Sequence, residues 1–360
     1  MKRRDFVAAA GAATLLTACG EAKDCSTGDS VQGTTSTKTI NWTMVTTWPP
    51  GFQGLGTGAE YLAEQINKLS NGRMKVKVYG AGELVPALQV FDAVSSGSVE
   101  MGHGASYYWK GKLPAASFFT SVPFGLNAQE MNSWLLKAGG LELWQELYAP
   151  YNLIPMPGGN TDIQMAGWFN KEINSIEDIQ GLKMRIPGLG GEVLKRAGGT
   201  PELIAGGEIF SALEMGRIDA AEFVGPYNDL ALGFYKAAKY YYYPGWQEPC
   251  ANLEAIINKE AMEKLPAELQ KIVKAACLIA NEDMLAEFSH KNSEALKTLV
   301  EKHNVSVKRL PDDVLNRFEE ISEELVAEQG NHDELSKRIY QSYMDFKGKS
   351  FEWRKISQSL

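Results

Sequence analysis

The sequence predicts an α/β protein of two lobes braced by one long helix. Three observations predict it. Between Ile40 and His103 the pattern runs strand, helix, strand, helix, strand, the order that builds a parallel sheet with covering helices. The 360-residue chain, less a leader, has two-domain size. From Pro266 to Lys302 no further Pro and no Gly intervenes. A helix there runs roughly 55 Å at about 1.5 Å per residue, longer than one small domain.

The elements follow in order. Lys2-Arg3-Arg4-Asp5-Phe6-Val7 sets twin arginines before a short Ala/Gly-rich run ending Leu16-Thr17-Ala18-Cys19. Residues 1–18 read as a twin-arginine export signal closed by a lipobox, in which Cys19 takes the lipid and becomes the mature N-terminus. Phe6–Ala18 falls short of the roughly 20 residues that span a bilayer. The expectation is an exported, membrane-tethered protein. Residues 19–39, rich in Ser, Thr and Gly, cannot bury a core and read as a flexible tether.

Order begins with a strand at Ile40–Val45. Tyr61, Leu62, Ile66 and Leu69 stand at helical spacing and predict a helix over Thr57–Leu69, stopped by Asn71-Gly72. A strand at Met74–Val78, a helix at Pro86–Val94 and a strand at Val99–His103 complete the first run. Helices are expected at Gln129–Lys137 and Leu141–Tyr148, and strands at Leu153–Met156 and Ile163–Phe169. A capped turn at Ser175–Gly181 leads into the strand Leu182–Ile186. Helices at Gly191–Ala197, Ile209–Met215 and Tyr227–Ala238 then alternate with short strands, among them Ile218–Val224. Tyr240–Tyr243 is an all-aromatic strand ended by Pro244-Gly245. After the long helix, Val314–Gln329 and Glu334 onward are helical. The last helix carries Tyr340, Tyr343, Phe346, Phe351 and Trp353 around a Gly348 interruption, and so asks for a partner surface.

Composition narrows the function. Hydrophobic residues are 44% and charged residues 22%, as in ordinary globular proteins. The net charge of -8 becomes about -10 without the leader, which disfavours nucleic acid, because phosphate contacts need clustered Lys and Arg. Of four cysteines, Cys19 and Cys25 fall in the lipobox and tether, so there is no disulfide framework, and whether Cys250 and Cys277 pair stays open. His103, His290, His303 and His332 are scattered, without zinc-site spacing. No metalloprotease, nucleophile-elbow or phosphate-loop motif is present, so no reaction class is marked.

Gly54-Leu55-Gly56-Thr57-Gly58-Ala59 fits the dinucleotide pattern G-x-G-x-x-A, with Glu83 at a plausible distance. It makes an exported NAD(P)-dependent oxidoreductase the competing class. Against it, Trp48-Pro49-Pro50-Gly51-Phe52 separates the strand from the glycines. The plainer reading is a loop over a cleft, capped by Thr57. Gly188-Leu189-Gly190-Gly191 fits less well, with Val193 where a third glycine belongs. Arg185 stands at a strand end before that loop. It is either a solvated cation or a guanidinium that reaches into a cleft to hold a carboxylate bidentately. Glu222, late in a short apolar strand, is either a metal ligand or a half-exposed strand residue.

Two segments carry a resemblance. Asp178-Ile179-Gln180-Gly181-Leu182-Lys183-Met184-Arg185-Ile186-Pro187 resembles the Asp-Leu-x-Gly-Leu-Lys-Met-Arg block of the solute-binding proteins of tripartite ATP-independent periplasmic (TRAP) transporters. Glu208-Ile209-Phe210-Ser211-Ala212-Leu213-Glu214-Met215-Gly216-Arg217-Ile218-Asp219-Ala220-Ala221-Glu222 is similar to a second block of that family. Tyr79–Pro86, Gly102–Trp109, Gly159–Thr161, Gln164 and Tyr240–Trp246 resemble its 2-oxo-monocarboxylate branch. The resemblance implies a two-lobe periplasmic-binding-protein-like fold. Lobe I would comprise 40–161 and 253–290, lobe II 162–252 and 291–330, with 331–360 a dimerisation helix exchanged in a homodimer. It implies no catalysis, no organic cofactor, and delivery of a pyruvate-like acid to the small and large membrane subunits of a permease. Lactate or a C4-dicarboxylate is the alternative ligand. By the likeness Arg185 clamps the carboxylate, Asn160 and Tyr108 hydrogen-bond the ligand, and Tyr107 and Glu248 join the pocket. Gln164, Glu222 and the carbonyl of Phe223 hold a metal ion. Phe223 stands where the branch usually has Trp, and Gln247 and Cys250 where it has His and Gly. Oxygen ligands suit hard cations, and a single Glu favours sodium over calcium.

Overall fold

The computed structural model describes residues 39–358, so the export signal, Cys19 and the tether up to residue 38 lie outside the described residues. In chain order the strands are β1 (Ile40–Thr46), β2 (Met74–Tyr79), β3 (Met101–Gly104) and β4 (Leu153–Asn160). Then come β5 (Gly167–Phe169), β6 (Lys183–Arg185), β7 (Thr200–Glu202), β8 (Ala220–Ala221) and β9 (Tyr240–Tyr243). The last are β10 (Asn252–Asn258) and β11 (Ser306–Arg309). One sheet has the order β2-β1-β3-β10-β4 and the other β11-β9-β5-β8-β6-β7.

The expected βαβαβ run is present: β1 pairs in parallel with both β2 and β3. Neither sheet is parallel throughout. β10 inserts antiparallel between β3 and β4, and β5 runs antiparallel between β8 and β9. Every residue of β10 is buried. The sequence reading did not anticipate β10, because Glu254 interrupts its apolar run. The structure resolves the conflict by giving that carboxylate Trp109 Nε1–H and the Tyr148 hydroxyl as donors. Burial still pushes the Glu254 carboxyl up to about 7.

Other boundaries moved for local reasons. The second strand of the Ile163–Phe169 prediction shortens to Gly167–Phe169, and Ile218–Val224 to Ala220–Ala221. Pro86–Val94 splits into a 3₁₀ turn at Ala87–Gln89 and a helix at Val90–Ser95. Tyr227–Ala238 becomes a helix at Pro226–Leu232, closed by left-handed Gly233 (φ 73°), and then a 3₁₀ turn. Cys250 and Cys277 are both free and buried, so no bridge joins them.

The helix Ala267–His303 packs on the helix Leu55–Leu69 and on β4 at one sheet, and on Pro226–Leu232 at the other. It therefore ties both halves, as its length implied. Gly54 and Gly58 exist for this contact. A Cβ at Gly54 would meet the Phe288 ring at 2.6 Å, and one at Gly58 the Met284 methyl at 2.2 Å. Gly54 is the N-cap, and Thr57 sits three residues inside the helix, its Oγ1 accepting from Gly54 N at 2.9 Å. Glu83 closes its own turn on Gly80 N. Gly54 and Gly58 are thus helix-packing positions, while Gly56 makes room for the Pro49 carbonyl, which a Cβ would meet at 2.9 Å.

The C-terminal helix Glu334–Ser357 runs through Gly348 without a break and docks on its own chain. Tyr343 is fully buried against Phe118 and Trp134, and its hydroxyl accepts from Leu126 N at 3.0 Å. Trp353 remains exposed. Among the described residues no helix is long and apolar enough to cross a membrane.

Candidate functional site

The two sheets are joined by crossing segments, 161–166 after β4 and 244–251 before β10. These lie side by side, with Thr161 N donating to Ala251 O (3.1 Å) and Gln164 N to Glu248 O (3.2 Å). The chain must change sheets here, so regular ladders stop and polar side chains can turn inward.

Arg185 ends β6 with no exposed surface. Its Nε donates to Ile204 O at 3.2 Å, and its Nη1 donates to Glu222 O at 2.6 Å and to Glu222 Oε2 at 3.2 Å. Its carbon Cζ lies 5.4 Å from the Phe223 ring centre. Glu222 follows β8 and is equally buried, which excludes the half-exposed reading. Burial raises its carboxyl to about 8 against the opposing pull of Arg185, and Asp229 raises it further. Glu248 is pushed well above the usual carboxylate range by burial and by the Glu222 charge.

Each of these side chains is pinned at one end and open at the other. Asn160 Oδ1 accepts from Asp162 N at 2.9 Å, and Nδ2 has no partner. Gln164 Nε2 donates to Thr161 Oγ1 at 3.1 Å, and Oε1 has none. Arg185 Nη2, Glu222 Oε1 and Glu248 Oε2 are also buried without partners. An orphaned buried polar atom costs about 1–3 kcal/mol, so such a group is a site held ready for something. Two of the atoms are donors and three are acceptors.

Tyr107 and Tyr108, on the 3₁₀ turn after β3, meet edge to face at 4.8 Å. Both feel the charges of Arg185, Glu222 and Glu248. Gly188, at φ 62°, lets the loop after β6 approach Tyr107, which a Cβ would crowd at 3.2 Å. The predicted set Arg185, Glu222, Phe223, Glu248, Tyr107 and Tyr108 is therefore one neighbourhood. Asn160 and Gln164 join it through the crossing segments. Cys19 lies outside the described residues.

No cluster of three or more His, Cys, Asp or Glu side chains suited to a metal occurs among the described residues. The oxygens of Gln164 and Glu222 nevertheless fit a hard cation: both are buried, unpaired acceptors. A cavity of about 590 Å³ is bounded by Thr47, Pro49 and Pro86 on one side and Leu203, Ile204 and Arg217 on the other; none of the predicted site residues lines it, and Ile204, whose carbonyl accepts from Arg185 Nε, links it to them.

Sequence reasoning missed three residues around the site. Asp229 Oδ2 accepts from Trp168 Nε1 (3.0 Å) and from the Tyr241 hydroxyl (2.7 Å), whose rings stack at 4.1 Å. His103 Nδ1 accepts from Trp48 Nε1 at 2.8 Å, while Nε2 faces Gly158 O at 3.1 Å. Phe52 meets Phe223 edge-on at 6.1 Å. Nothing in the sequence marked them: in the all-tyrosine strand Tyr240–Tyr243, Tyr241 and Tyr242 are both buried, and only the fold shows that Tyr241 is the one that meets Asp229.

The family model described as bacterial extracellular solute-binding protein, family 7, matches residues 44–333. A monocarboxylate 2-oxoacid-binding periplasmic protein of Nostoc sp. is 44% identical, over 99% of this chain and 97% of its own length. A TRAP periplasmic solute-binding protein of Pseudoalteromonas atlantica, solved with sodium and pyruvate, is 42% identical with a TM-score of 0.86, covering 89% of this chain and 98% of its own. A TRAP transporter solute-binding protein of Bordetella bronchiseptica, a mixed-occupancy dimer with calcium and picolinate, is 39% identical with a TM-score of 0.87, covering 89% and 95%.

Proposed function

The chain belongs to the bacterial extracellular solute-binding proteins of family 7, the receptors of TRAP transporters, and from that premise we propose that it captures pyruvate-like 2-oxo monocarboxylates with a metal ion for a membrane permease. The family transports rather than catalyses. The observation that carries the reading is the sorting of the unpaired buried atoms. The donors Arg185 Nη2 and Asn160 Nδ2 suit a carboxylate, with Tyr108 and Tyr107 beside them. The acceptors Gln164 Oε1 and Glu222 Oε1, with the Phe223 carbonyl, suit a hard cation.

A 2-oxoacid satisfies both halves, since its carboxylate and neighbouring carbonyl oxygen can also chelate the ion. With the Glu248 carboxyl neutral, Arg185, Glu222, one monocarboxylate and one sodium ion sum to zero charge. That balance suits a closed site, where an unpaired charge is costly. Titration calorimetry of the protein with pyruvate, lactate, succinate and NADH, with and without sodium or calcium, tests it. Pyruvate should bind with the ion and NADH should not. A protein blind to pyruvate in every ion would refute the assignment.

The finer reading extends to export by the twin-arginine route, a lipid on Cys19, lobes bounded as the sequence suggests, and a homodimer that exchanges the C-terminal helix. The Bordetella relative is itself a dimer. Mass spectrometry of the mature N-terminus decides the lipid: an unmodified Cys19 on membrane-free protein would reject it.

A further inference from the structure

The loop Trp48–Gly54 belongs to the five-stranded half but rests on the residues of the other half that carry the site. It is held rigidly. Thr46 Oγ1 donates to Trp48 O at 3.0 Å, and Trp48 Nε1 donates to His103 Nδ1. Phe52 N donates to Pro49 O at 3.2 Å. The Phe52 carbonyl accepts from Gly56 N (2.7 Å) and Thr57 N (3.0 Å) at the start of the next helix. A backbone so fixed presents the Phe52 ring as a firm knob.

The knob lands on Phe223, ring centres 6.1 Å apart and planes at 60°. Beside it, Asn228 Nδ2 donates to Gln53 O at 2.8 Å, and Pro49 lies near Gly207, where an added Cβ would be 3.5 Å from it. The Phe223 ring is confined elsewhere by its own half. Arg185 Cζ lies 5.4 Å from the ring centre, Phe234 meets the ring at 6.5 Å, and a Cβ on Gly206 would come within 2.7 Å of it. Among these neighbours Phe52 alone arrives from the opposite half.

We propose that Phe52 is a positioning residue for the site. When the halves meet, it presses Phe223 against the Arg185 guanidinium and so fixes the adjoining main-chain carbonyl, tying retention of ion and ligand to closure. The inference rests on the function proposed above, in which Arg185 and that carbonyl serve ligand and ion. It also gives a reason for phenylalanine at 223. Gly206 leaves that ring space on one side, and an aromatic edge on the other completes its seat.

The test is stopped-flow release of pyruvate from the full-length protein, with the sodium concentration for half-maximal binding, in wild type, Phe52→Ala, Phe52→Leu and Gly206→Ala. Phe52→Ala should release pyruvate about tenfold faster and need about tenfold more sodium, as expected for one lost aromatic contact. Its association rate and the melting of its unliganded form should stay near wild type. Phe52→Leu should recover most of the loss. Gly206→Ala, which crowds the ring from its other side, should raise the sodium requirement with Phe52 intact. Wild-type release and sodium dependence in Phe52→Ala would overturn the inference alone. So would a variant that only melts lower. A wild-type protein that binds no pyruvate would overturn the proposed function and this inference with it.

Discussion

Arg185 spends Nε and Nη1 on its own chain and keeps Nη2 unpaired in a fully buried position. That is a poor use of a charge unless a ligand completes it. Arg185→Ala should abolish pyruvate binding, a loss on the order of 3–5 kcal/mol, or roughly hundreds- to thousands-fold in affinity. The fold should survive, because Glu222 can take the proton that its environment already favours. Calorimetry reads the affinity and circular dichroism the fold; tight binding by a folded variant would remove Arg185 from the site. His103 makes a second prediction at this scale. It is fully buried, and burial lowers it from 6.5 to about 4. Its Nδ1 accepts from Trp48, so a proton there would set two donors face to face. Between those values the unfolded chain binds the proton and the folded chain does not. Stability from this residue is therefore full above about 6.5 and lost as pH falls towards 4, by about 2 kcal/mol at pH 5. Glu254 acts in the opposite sense: burial raises its carboxyl from 4.5 to about 7, so its contribution to stability rises as pH falls from about 7 to 4.5. The comparison must therefore be between wild type and His103→Gln. Melting curves from pH 7 to 4 should converge as pH falls, and parallel curves would show that His103 does not titrate.

Elements were legible where local pattern decided them and illegible where distant partners did. The helices Leu55–Leu69 and Ala267–His303 follow from periodicity and from the lack of Gly and Pro. β10 does not, because Glu254 is tolerated only through Trp109 and Tyr148, more than a hundred residues earlier in the chain. The same holds for the site. Arg185 and Glu222 stood in recognisable segments, whereas Phe52 and Asp229 gain meaning only from rings brought to them by the fold. The C-terminal helix shows both sides. Its aromatics called for a surface, and the surface turned out to include Phe118 and Trp134 of the same chain. An identical groove on a second copy would accept the same helix, which is what makes exchange between subunits inexpensive. Ending the chain near Asn331 should therefore lower the melting temperature whichever copy supplies the helix, since Tyr343 alone resembles core aromatics worth about 3–5 kcal/mol. Sedimentation then separates the cases. A dimer that becomes a monomer on truncation supports exchange, and a full-length monomer at tens of micromolar rules it out.

At the scale of the molecule the candidate site is distributed over both sheets and the segments that cross between them. Tyr107 and Tyr108 follow β3 in one sheet, and Arg185, Glu222 and Phe223 adjoin β6 and β8 in the other. Asn160 ends β4, and Gln164 and Glu248 lie on the paired crossing segments between the sheets. Hinge closure would therefore bring the first two groups together while the third stays on the hinge itself. Neither ligand nor ion alone satisfies every orphaned atom, since the carboxylate answers the donors and the cation the acceptors. An anion beside Glu222 without a cation would meet repulsion, and a cation beside Arg185 without the acid would meet the same. The two should close the cleft only together. Small-angle scattering of the full chain should show compaction with pyruvate and sodium, and little change with either alone. Chelation and sodium removal should weaken binding while moving the melting of the unliganded protein only modestly, because among the described residues the candidate ion ligands form no separate cage. Replacing sodium by calcium should restore closure only if a carboxylate such as Glu248 gives up its proton to balance the extra charge, so Glu248→Gln should impair the calcium form more than the sodium form. Equal compaction by pyruvate in ion-free buffer would show that the cation is not a co-ligand.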